Sequence, residues 1–195
     1  MTLRTTWLDD DADRREAVGV AARAMRDNPM SLALSDDPLV RLDILCGMFT
    51  DTLTKGTVAG ARTRECVLGV AAVGGPGRCV RYMLPAEQRV RSDPDPDASP
   101  LDRLVRVASV MADHDLLEDH WHVGPVGVEP GFQRSGIGRA AMGLLCDHFD
   151  EQGQLAWLET DKPENVSFYA SLGFELVERM SVLGFAFAFM RRQPR

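Results

Sequence analysis

The chain has 195 residues, of which 45% are hydrophobic and 26% are charged, and its formal net charge is −7. This length and composition are ordinary for a globular domain that buries a full core. The negative net charge argues against nucleic acid as the main partner.

Cysteine and hydropathy patterns indicate the compartment. The four cysteines are scattered, with no C-x-x-C spacing and no histidine pair at zinc-finger spacing, so no metal is expected. Scattered thiols and the lack of a signal-peptide pattern predict a reducing cytoplasm. The longest uncharged apolar run, Val182 to Met190, is too short to span a bilayer, so no membrane association is expected.

The first 55 residues predict one strand and two helices. Thr2 to Leu8 reads as a strand. An acidic start at Asp10 predicts a helix that ends near Asn28-Pro29. Asp37 before Pro38 is typical of an N-cap followed by proline in the first turn, and the apolar spacing continues that helix to Leu53.

The middle of the chain alternates between strands and irregular segments. Thr57 to Arg62 and Glu65 to Val73 are predicted as strands, and Cys79 to Leu84 as a third. The segment from Arg91 to Pro100 is rich in proline and aspartate, which predicts an exposed loop or a lid over an acceptor site. Helical spacing returns from Leu101 to Leu117.

The last third predicts strands on both sides of two helices. The first helix begins at Ile137, and the second begins at Asp161-Lys162-Pro163 and ends at Gly173. The predicted strands are His120 to Val128, Leu155 to Thr160, Phe174 to Met180 and Leu183 to Met190. In the last strand phenylalanine alternates with alanine, so its bulky face packs either into the core or against a second copy of the chain in a homodimer.

The loop Gln133-Arg-Ser-Gly-Ile-Gly-Arg139 joins the strand ending at Val128 to the helix beginning at Ile137. The first N–H groups of a helix have no partner within the helix and carry partial positive charge, and glycine lets an anion approach the backbone closely. A pyrophosphate group is the expected ligand of this loop. The loop lacks the Gly-Lys-Ser/Thr ending of a nucleoside-triphosphate loop, and a dinucleotide fingerprint would place its third glycine at position 141, which is alanine.

Two motifs in order resemble those of the GNAT acyltransferase superfamily. The first is Gln133-Arg-x-Gly136-x-Gly138, preceded by Val126-Gly-Val128-x-Pro130. The second is Leu158-Glu-Thr160, then Asn165, then Phe168-Tyr-x-x-Leu-Gly-Phe174. The resemblance covers about 70 residues from His120 to Phe189, and the short gap between Asn165 and Tyr169 is similar to the puromycin-type branch. It implies an α/β fold with a mixed, mostly antiparallel central sheet flanked by helices.

The resemblance also implies which residues hold acetyl-CoA. The backbone of Val126 and Val128 would pair with the pantetheine arm as an added strand, and the loop amides would hold the pyrophosphate. Gly124-Pro125 lies where such a fold has a bulge that frees main-chain N–H groups. The implied cofactor-binding residues are Val126, Gly127, Val128, Gln133, Arg134, Ser135, Gly136, Ile137, Gly138, Arg139, Asn165 and Phe168.

Three side chains are candidates for catalysis. By resemblance, Tyr169 matches a tyrosine that protonates the departing thiolate, or it packs against the donor without proton transfer. Glu159 matches a position used as general base in some relatives, and on a strand it is equally a structural partner. His122 lies on the same strand face as His120, and a histidine with an ordinary pKa can act as a general base. Histidines in such positions are more often hydrogen-bonded residues of the sheet.

We therefore predict one GNAT-like domain over residues 1–195, with an acceptor side over about 1–118 and an acetyl-CoA core over about 119–190. The expected activity is acetyl transfer from acetyl-CoA to a primary amine of a small molecule or peptide, directly in a ternary complex. Two rivals stay open: a non-catalytic acyl-CoA sensor on the same fold, and an NAD-binding oxidoreductase.

Overall fold

The computed structural model describes residues 2–195, in which seven strands form one mixed sheet with helices on both faces. The strands are β1 Arg4–Trp7, β2 Thr57–Arg62, β3 Val67–Gly74, β4 Trp121–Val128, β5 Ala156–Thr160, β6 Glu175–Val182 and β7 Phe185–Arg192. Their order across the sheet is β1-β2-β3-β4-β5-β7-β6. Only β4 and β5 are parallel, and every other neighbouring pair is antiparallel. The predicted fold class is confirmed.

Helices connect the strands, and within residues 2–195 three of them have a side chain that caps their N-terminus. The helices are α1 Asp11–Met25, α2 Pro29–Leu34, α3 Pro38–Lys55, α4 Val80–Met83, α5 Pro100–His114, α6 Ile137–Gln152 and α7 Pro163–Ala170. Asp37 accepts the N–H of Leu39 at 2.8 Å, as expected of the N-cap of α3. Ser99 and Asp102 form a reciprocal capping box at α5. Among residues 2–195 no helix is both long enough and apolar enough to cross a membrane.

Two elements differ from the sequence-based predictions. The helix expected to end near Asn28-Pro29 ends at Met25, and a short helix that was not predicted, α2, begins there with Pro29 in its first turn. Proline is favoured there because its missing N–H would have no helical partner. The strand predicted at Cys79 to Leu84 is instead the short helix α4. Both edges of β3 are already paired, with β2 and β4, so a further strand has no free edge beside it.

The two faces of the sheet carry different helices. Residues of α1, α2, α3 and α5 share one hydrophobic cluster with the β7 side chains Phe187 and Phe189. On the opposite face, α6 and Tyr169 of α7 share a cluster with residues of β3, β4 and β5. Phe187 and Phe189 are 3% and 0% exposed, so the bulky face of β7 packs into the core of its own chain.

Helix α1 lies directly against β4. A Cβ added to Gly127 would meet Ala24 Cβ at 3.0 Å and Ala21 Cα at 3.2 Å, so a side chain at this position would crowd α1. Arg23 of α1 also binds both carboxylate oxygens of Glu129, at 2.9 Å each for the nearest nitrogens. These contacts fix α1 over the end of β4 that leads into the glycine-rich loop.

Candidate active site

The sheet opens between β4 and β5. Only Trp121 pairs with Ala156 and His122 with Trp157, and beyond them the two strands diverge. The register between β3 and β4 shifts at this point, so that Gly124 and Pro125 together oppose Ala72. The bulge expected at these two residues is therefore present, and it lies beside the opening.

One edge of β4 faces this opening without a partner strand. The N–H of Glu129 donates to Leu68 of the β3 segment at 2.8 Å, whereas the N–H of Trp121 donates to Leu155 on the β5 side at 2.7 Å. Main-chain groups alternate in direction along a strand. Counting back from Glu129, the N–H and C=O groups of Val126 and Val128 point into the opening, and those of Gly127 point toward β3.

The glycine-rich loop presents a run of free main-chain donors. Within residues 2–195, the amide N–H groups of residues 133–139 have no hydrogen-bond acceptor, and the first paired amide is that of Ala140, which donates to Gly136 at 3.0 Å. Gly136 caps α6 in the left-handed conformation, with φ of 87°. Arg134 also has a positive φ of 59°. Seven consecutive unpaired donors at a helix start form a site suited to a phosphate group.

Side chains of the loop mostly stabilise its shape. Gln133 Nε2 donates to the carbonyl of Val128 at 3.2 Å, and the Ser135 hydroxyl donates to the carbonyl of Phe132. Ile137 is buried, 4% exposed. Arg139 Nη2 donates to Ser171 Oγ at 2.6 Å, which ties α6 to the end of α7. Arg134 is exposed, and its guanidinium makes no hydrogen bond or ion pair within residues 2–195.

A cavity of about 450 Å³ extends from the opening into the acceptor side of the protein. The donor side of its lining includes Val126, Asn165 and Tyr169, and the acceptor side includes residues of α2, α3 and α5. Glu159 and His122 also line it. The cavity therefore joins the open edge of β4 to a chamber walled by the N-terminal helices.

A buried cluster of carboxylates and histidines lies beside this cavity. His122 Nε2 is 3.1 Å from Glu159 Oε2, and His122 Nδ1 is 3.7 Å from Asp115 Oδ1. His120 Nε2 is 2.9 Å from the same Asp115 oxygen, and its Nδ1 lies 2.8 Å from the carbonyl of Glu118. Both ring nitrogens of His120 thus face acceptors, which favours the imidazolium form.

The cluster shifts the pKa of each histidine upward. Burial opposes the charged form of His122, but the negative charges of Glu159 and Asp115 outweigh it and raise its pKa to about 10. Burial likewise opposes charge on His120, and Asp115 raises its pKa to about 9. Burial also opposes charge on Asp115, yet the two histidines hold its pKa well below the usual range. The expectation that His122 titrates at an ordinary histidine pKa is therefore wrong.

Tyr169 lies on the α7 side of the cavity. It is 6% exposed, and its hydroxyl has no hydrogen-bond partner within residues 2–195. Burial raises the pKa of Tyr169, and the nearby charges of Glu159 and Asp161 raise it further, so the phenol keeps its proton at neutral pH. Phe168 packs beside it at 5.1 Å between ring centroids.

Asn165 is oriented by the end of β5. Its Nδ2 donates to Thr160 Oγ1 at 3.2 Å. Asn165 lines the cavity, and this hydrogen bond fixes the amide group at the opening beside Tyr169.

The lid expected from the segment between Arg91 and Pro100 does not cover this cavity, because none of its residues is part of the lining. Asp93 instead binds Arg106 Nε at 2.8 Å and accepts the N–H of Leu183 at 3.2 Å. The segment is thereby held against α5 and the β6–β7 turn.

The sequence analysis did not identify three residues in or beside the cavity, Asp115, Asp161 and Cys79, as site residues. Asp161 lies two residues after Glu159, so the alternation of side chains along a strand could have placed both on one face. Asp115 and Cys79 carry no local signal, because they meet His120 only in the folded chain. Ligand atoms of Cys79, Asp115 and His120 lie within 4.8 Å of one another.

Comparison with known proteins agrees with this geometry. Residues 97–174 match the family described as the acetyltransferase (GNAT) family. This range includes α5, β4, the glycine-rich loop, α6, β5 and α7.

Solved structures of low sequence identity share the fold. A Corynebacterium glutamicum protein described as histone acetyltransferase HPA2 and related acetyltransferase is 19% identical, with a TM-score of 0.69 over 100% of this chain and 98% of that one. The polyamine N-acetyltransferase of Drosophila melanogaster, which forms N-acetylagmatine, is 12% identical, with a TM-score of 0.70 over 97% and 100%. yncA from Salmonella typhimurium, solved with its cofactor acetyl-CoA, is 17% identical, with a TM-score of 0.58 over 98% and 93%.

Proposed function

Because this chain carries a GNAT acetyltransferase domain, we propose that it transfers the acetyl group of acetyl-CoA to a primary amine of a small molecule or peptide, directly in a ternary complex. One observation carries the proposal: the unpaired loop amides and the open edge of β4 lead into the same cavity that Glu159 and Tyr169 line. The Salmonella typhimurium neighbour with acetyl-CoA and the Drosophila melanogaster amine acetyltransferase support this assignment by analogy.

Donor binding is assigned to main-chain groups. The amides of residues 133–139 hold the pyrophosphate at the start of α6. Val126 and Val128 offer their outward N–H and C=O groups to the amide-bearing pantetheine arm, as a sheet edge does to an added strand. Gln133, which already donates to Val128, keeps this edge in position. Acetyl-CoA, when bound, supplies the activated acetyl thioester.

Glu159 is assigned as the proton acceptor. An amine with a pKa near 10.4 is almost fully protonated at neutral pH, and presenting it as the neutral nucleophile costs about 4 kcal/mol. His122 is already an imidazolium, so it cannot take this proton itself. We assign it instead to orienting Glu159 toward the cavity, with Asp115 behind it.

Tyr169 is assigned to the leaving group. Its raised pKa makes it a weak acid relative to a thiol, which titrates around 8.5, so full proton transfer to the thiolate is unfavourable. Its free hydroxyl donates a hydrogen bond to sulfur instead. In the overall reaction, a C–N bond forms between the acetyl carbon and the amine, and the C–S bond of the thioester breaks. The ammonium loses two protons, one ending on the thiol and one in solvent.

The first test measures ligand binding by thermal shift with acetyl-CoA, CoA, NAD and ATP. A ligand at about 100 times its dissociation constant adds roughly 2.7 kcal/mol of stability. We expect acetyl-CoA and CoA to raise the melting temperature and NAD and ATP not to. Stabilisation by NAD alone would favour the oxidoreductase. Binding of acetyl-CoA with no thiol release against any amine would favour the acyl-CoA sensor.

A matched pair of variants tests the loop. Gly136 and Gly153 cap opposite ends of α6, both with positive φ, 87° and 60°, and neither has an atom within 4 Å of an added Cβ. Replacing either with valine costs about 1–3 kcal/mol of backbone strain. We expect only Gly136→Val to weaken acetyl-CoA binding, by at least tenfold, measured by isothermal titration. Equal weakening by Gly153→Val would contradict the loop assignment.

A further inference from the structure

The acceptor side of the cavity contains a carboxylate without a counter-ion. Asp161 follows β5 and is 7% exposed. Its Oδ2 accepts the N–H of Met30 at 2.8 Å, yet no lysine, arginine or histidine within residues 2–195 forms an ion pair with it. Burial raises the pKa of its carboxyl group. Asp115, by contrast, has His120 as its partner at 2.9 Å.

The carboxylates in and beside the cavity differ in their partners. Asp115 lies 2.9 Å from a ring nitrogen of His120, and Glu159 lies 3.1 Å from one of His122, whereas Asp161 has no such partner within residues 2–195. Arg78 also lines the cavity, but it is exposed and forms no ion pair with Asp161. A single ammonium group beside Asp161 would supply the missing partner, because a buried carboxylate is stabilised by a paired cation.

Much of the remaining lining is apolar, beside the polar side chains of Asn28, Thr52, Arg78 and Thr160. Five of the nine methionines of the chain line the cavity, together with Phe49, Leu84 and Leu104. They are Met25, Met30, Met48, Met83 and Met111. Methionine is flexible and polarizable, so such a wall accepts aliphatic and aromatic groups of different shapes. It provides no counter-ion for a second positive charge.

We propose that the acceptor is a primary amine with one positive charge and an apolar aliphatic or aromatic body, whose ammonium binds Asp161 and whose body lies among the methionines. This rests on the proposed acetyl transfer, because the same amine nitrogen is the nucleophile. Asp161 is the specificity-determining residue, and Glu159, on the same strand face, takes the proton.

The experiment compares three probes on the full chain. Phenylethylamine has one charge and an apolar body, phenylethanol has the same body without charge, and agmatine has two charged groups. We expect kcat/KM for phenylethylamine to exceed that for agmatine by at least tenfold, measured by thiol release. In calorimetry with CoA present, phenylethylamine should bind at least tenfold more tightly than phenylethanol. Equal or better use of agmatine would overturn the inference while leaving acetyl transfer intact.

Two variants test the role of Asp161. Asp161→Asn can still accept the N–H of Met30, and we expect it to raise KM for phenylethylamine at least tenfold with a smaller change in kcat, and to remove the preference over phenylethanol in binding. The control Glu164→Gln removes a nearby exposed carboxylate that does not line the cavity, and it should leave KM unchanged. Unchanged KM in Asp161→Asn would overturn the inference.

A third variant tests the methionine wall. Met48→Glu adds a carboxylate to the chamber, and we expect it to raise kcat/KM for agmatine relative to phenylethylamine at least tenfold. If the ratio of kcat/KM for agmatine to that for phenylethylamine does not change, the apolar body of the substrate does not lie among the methionines. If phenylethylamine binds in an Asp161-dependent way but no acetyl group is transferred, the proposed function fails while the binding inference holds.

Discussion

At the scale of single residues, Glu159 and His122 illustrate how partners change chemistry. A lone histidine on a strand suggests a base, but His122 lies between Glu159 and Asp115, and its pKa is raised to about 10. The histidine is therefore a fixed positive charge at neutral pH. We therefore propose its partner Glu159, which lines the cavity, as the proton acceptor.

Replacing Glu159 tests that assignment. Glu159→Gln keeps the shape of the side chain but removes the proton acceptor, and general-base contributions are about 10²–10⁴-fold. We expect kcat at neutral pH to fall by that factor, with acetyl-CoA affinity unchanged in calorimetry. Glu151→Gln, on the exposed end of α6, is the control. Unchanged kcat in Glu159→Gln would remove Glu159 from the mechanism.

Replacing Tyr169 tests the leaving-group assignment. Tyr169→Phe removes one hydrogen bond to a charged group, worth about 1.5–3 kcal/mol, and leaves the packing against Phe174 in place. We expect a loss of about 10–100-fold in kcat in the thiol-release assay. A donor with a more acidic leaving thiol should lose less, since it needs less stabilisation. An equal loss for both donors would favour a packing role.

At the scale of elements, the sequence predicts what depends on local pattern. Asp37-Pro38 marks the start of α3, and the spacing from Ile137 marks α6, because caps and helical periodicity are local properties. The segment from Cys79 to Leu84 has strand-like composition, yet it is helical because β3 has no free edge. Asp115 joins the site only through long-range packing, which no local pattern encodes.

The contact of α1 with β4 gives an element-scale prediction. Valine at position 127 would push into Ala21 and Ala24, and overpacking of this kind costs about 1–3 kcal/mol. We expect Gly127→Val to lower the urea midpoint without changing its slope. Gly131→Val is the control, because an added Cβ there meets nothing within 4 Å. Equal midpoints for the two variants would contradict the close approach of α1.

At the scale of the whole molecule, the site needs both parts of the chain. Residues 97–174 match the family, but the methionine wall is built largely by α1, α2 and α3, which precede the match. We therefore propose that residues 1–195 act as one domain, with acceptor selection encoded before about residue 118 and donor binding after it.

The buried histidines link global stability to pH. His120 and His122 have raised pKa values of about 9 and about 10 in the folded protein, against about 6.5 when unfolded. Their contribution to the free energy of unfolding is fully present below about pH 6.5. It is lost as the pH rises through the pKa values of the folded state. We expect the free energy of unfolding, from urea titrations, to fall from about pH 7 to about pH 10. The variant His120→Gln should show a shallower fall, and a flat profile in the wild type would contradict the charged cluster.

The narrow junction between β4 and β5 has a mechanical consequence. Two residue pairs join the four strands β1 to β4 to the three strands β5 to β7, so few main-chain hydrogen bonds connect the two halves of the sheet. A donor bound across the opening would add contacts to both halves and restrict their relative motion. We expect acetyl-CoA to slow amide hydrogen exchange in β5 and β7 as well as at residues 133–139. Slowing confined to residues 133–139 would mean that the two halves of the sheet are already rigid without ligand. The short β4–β5 pairing would then serve only to shape the opening.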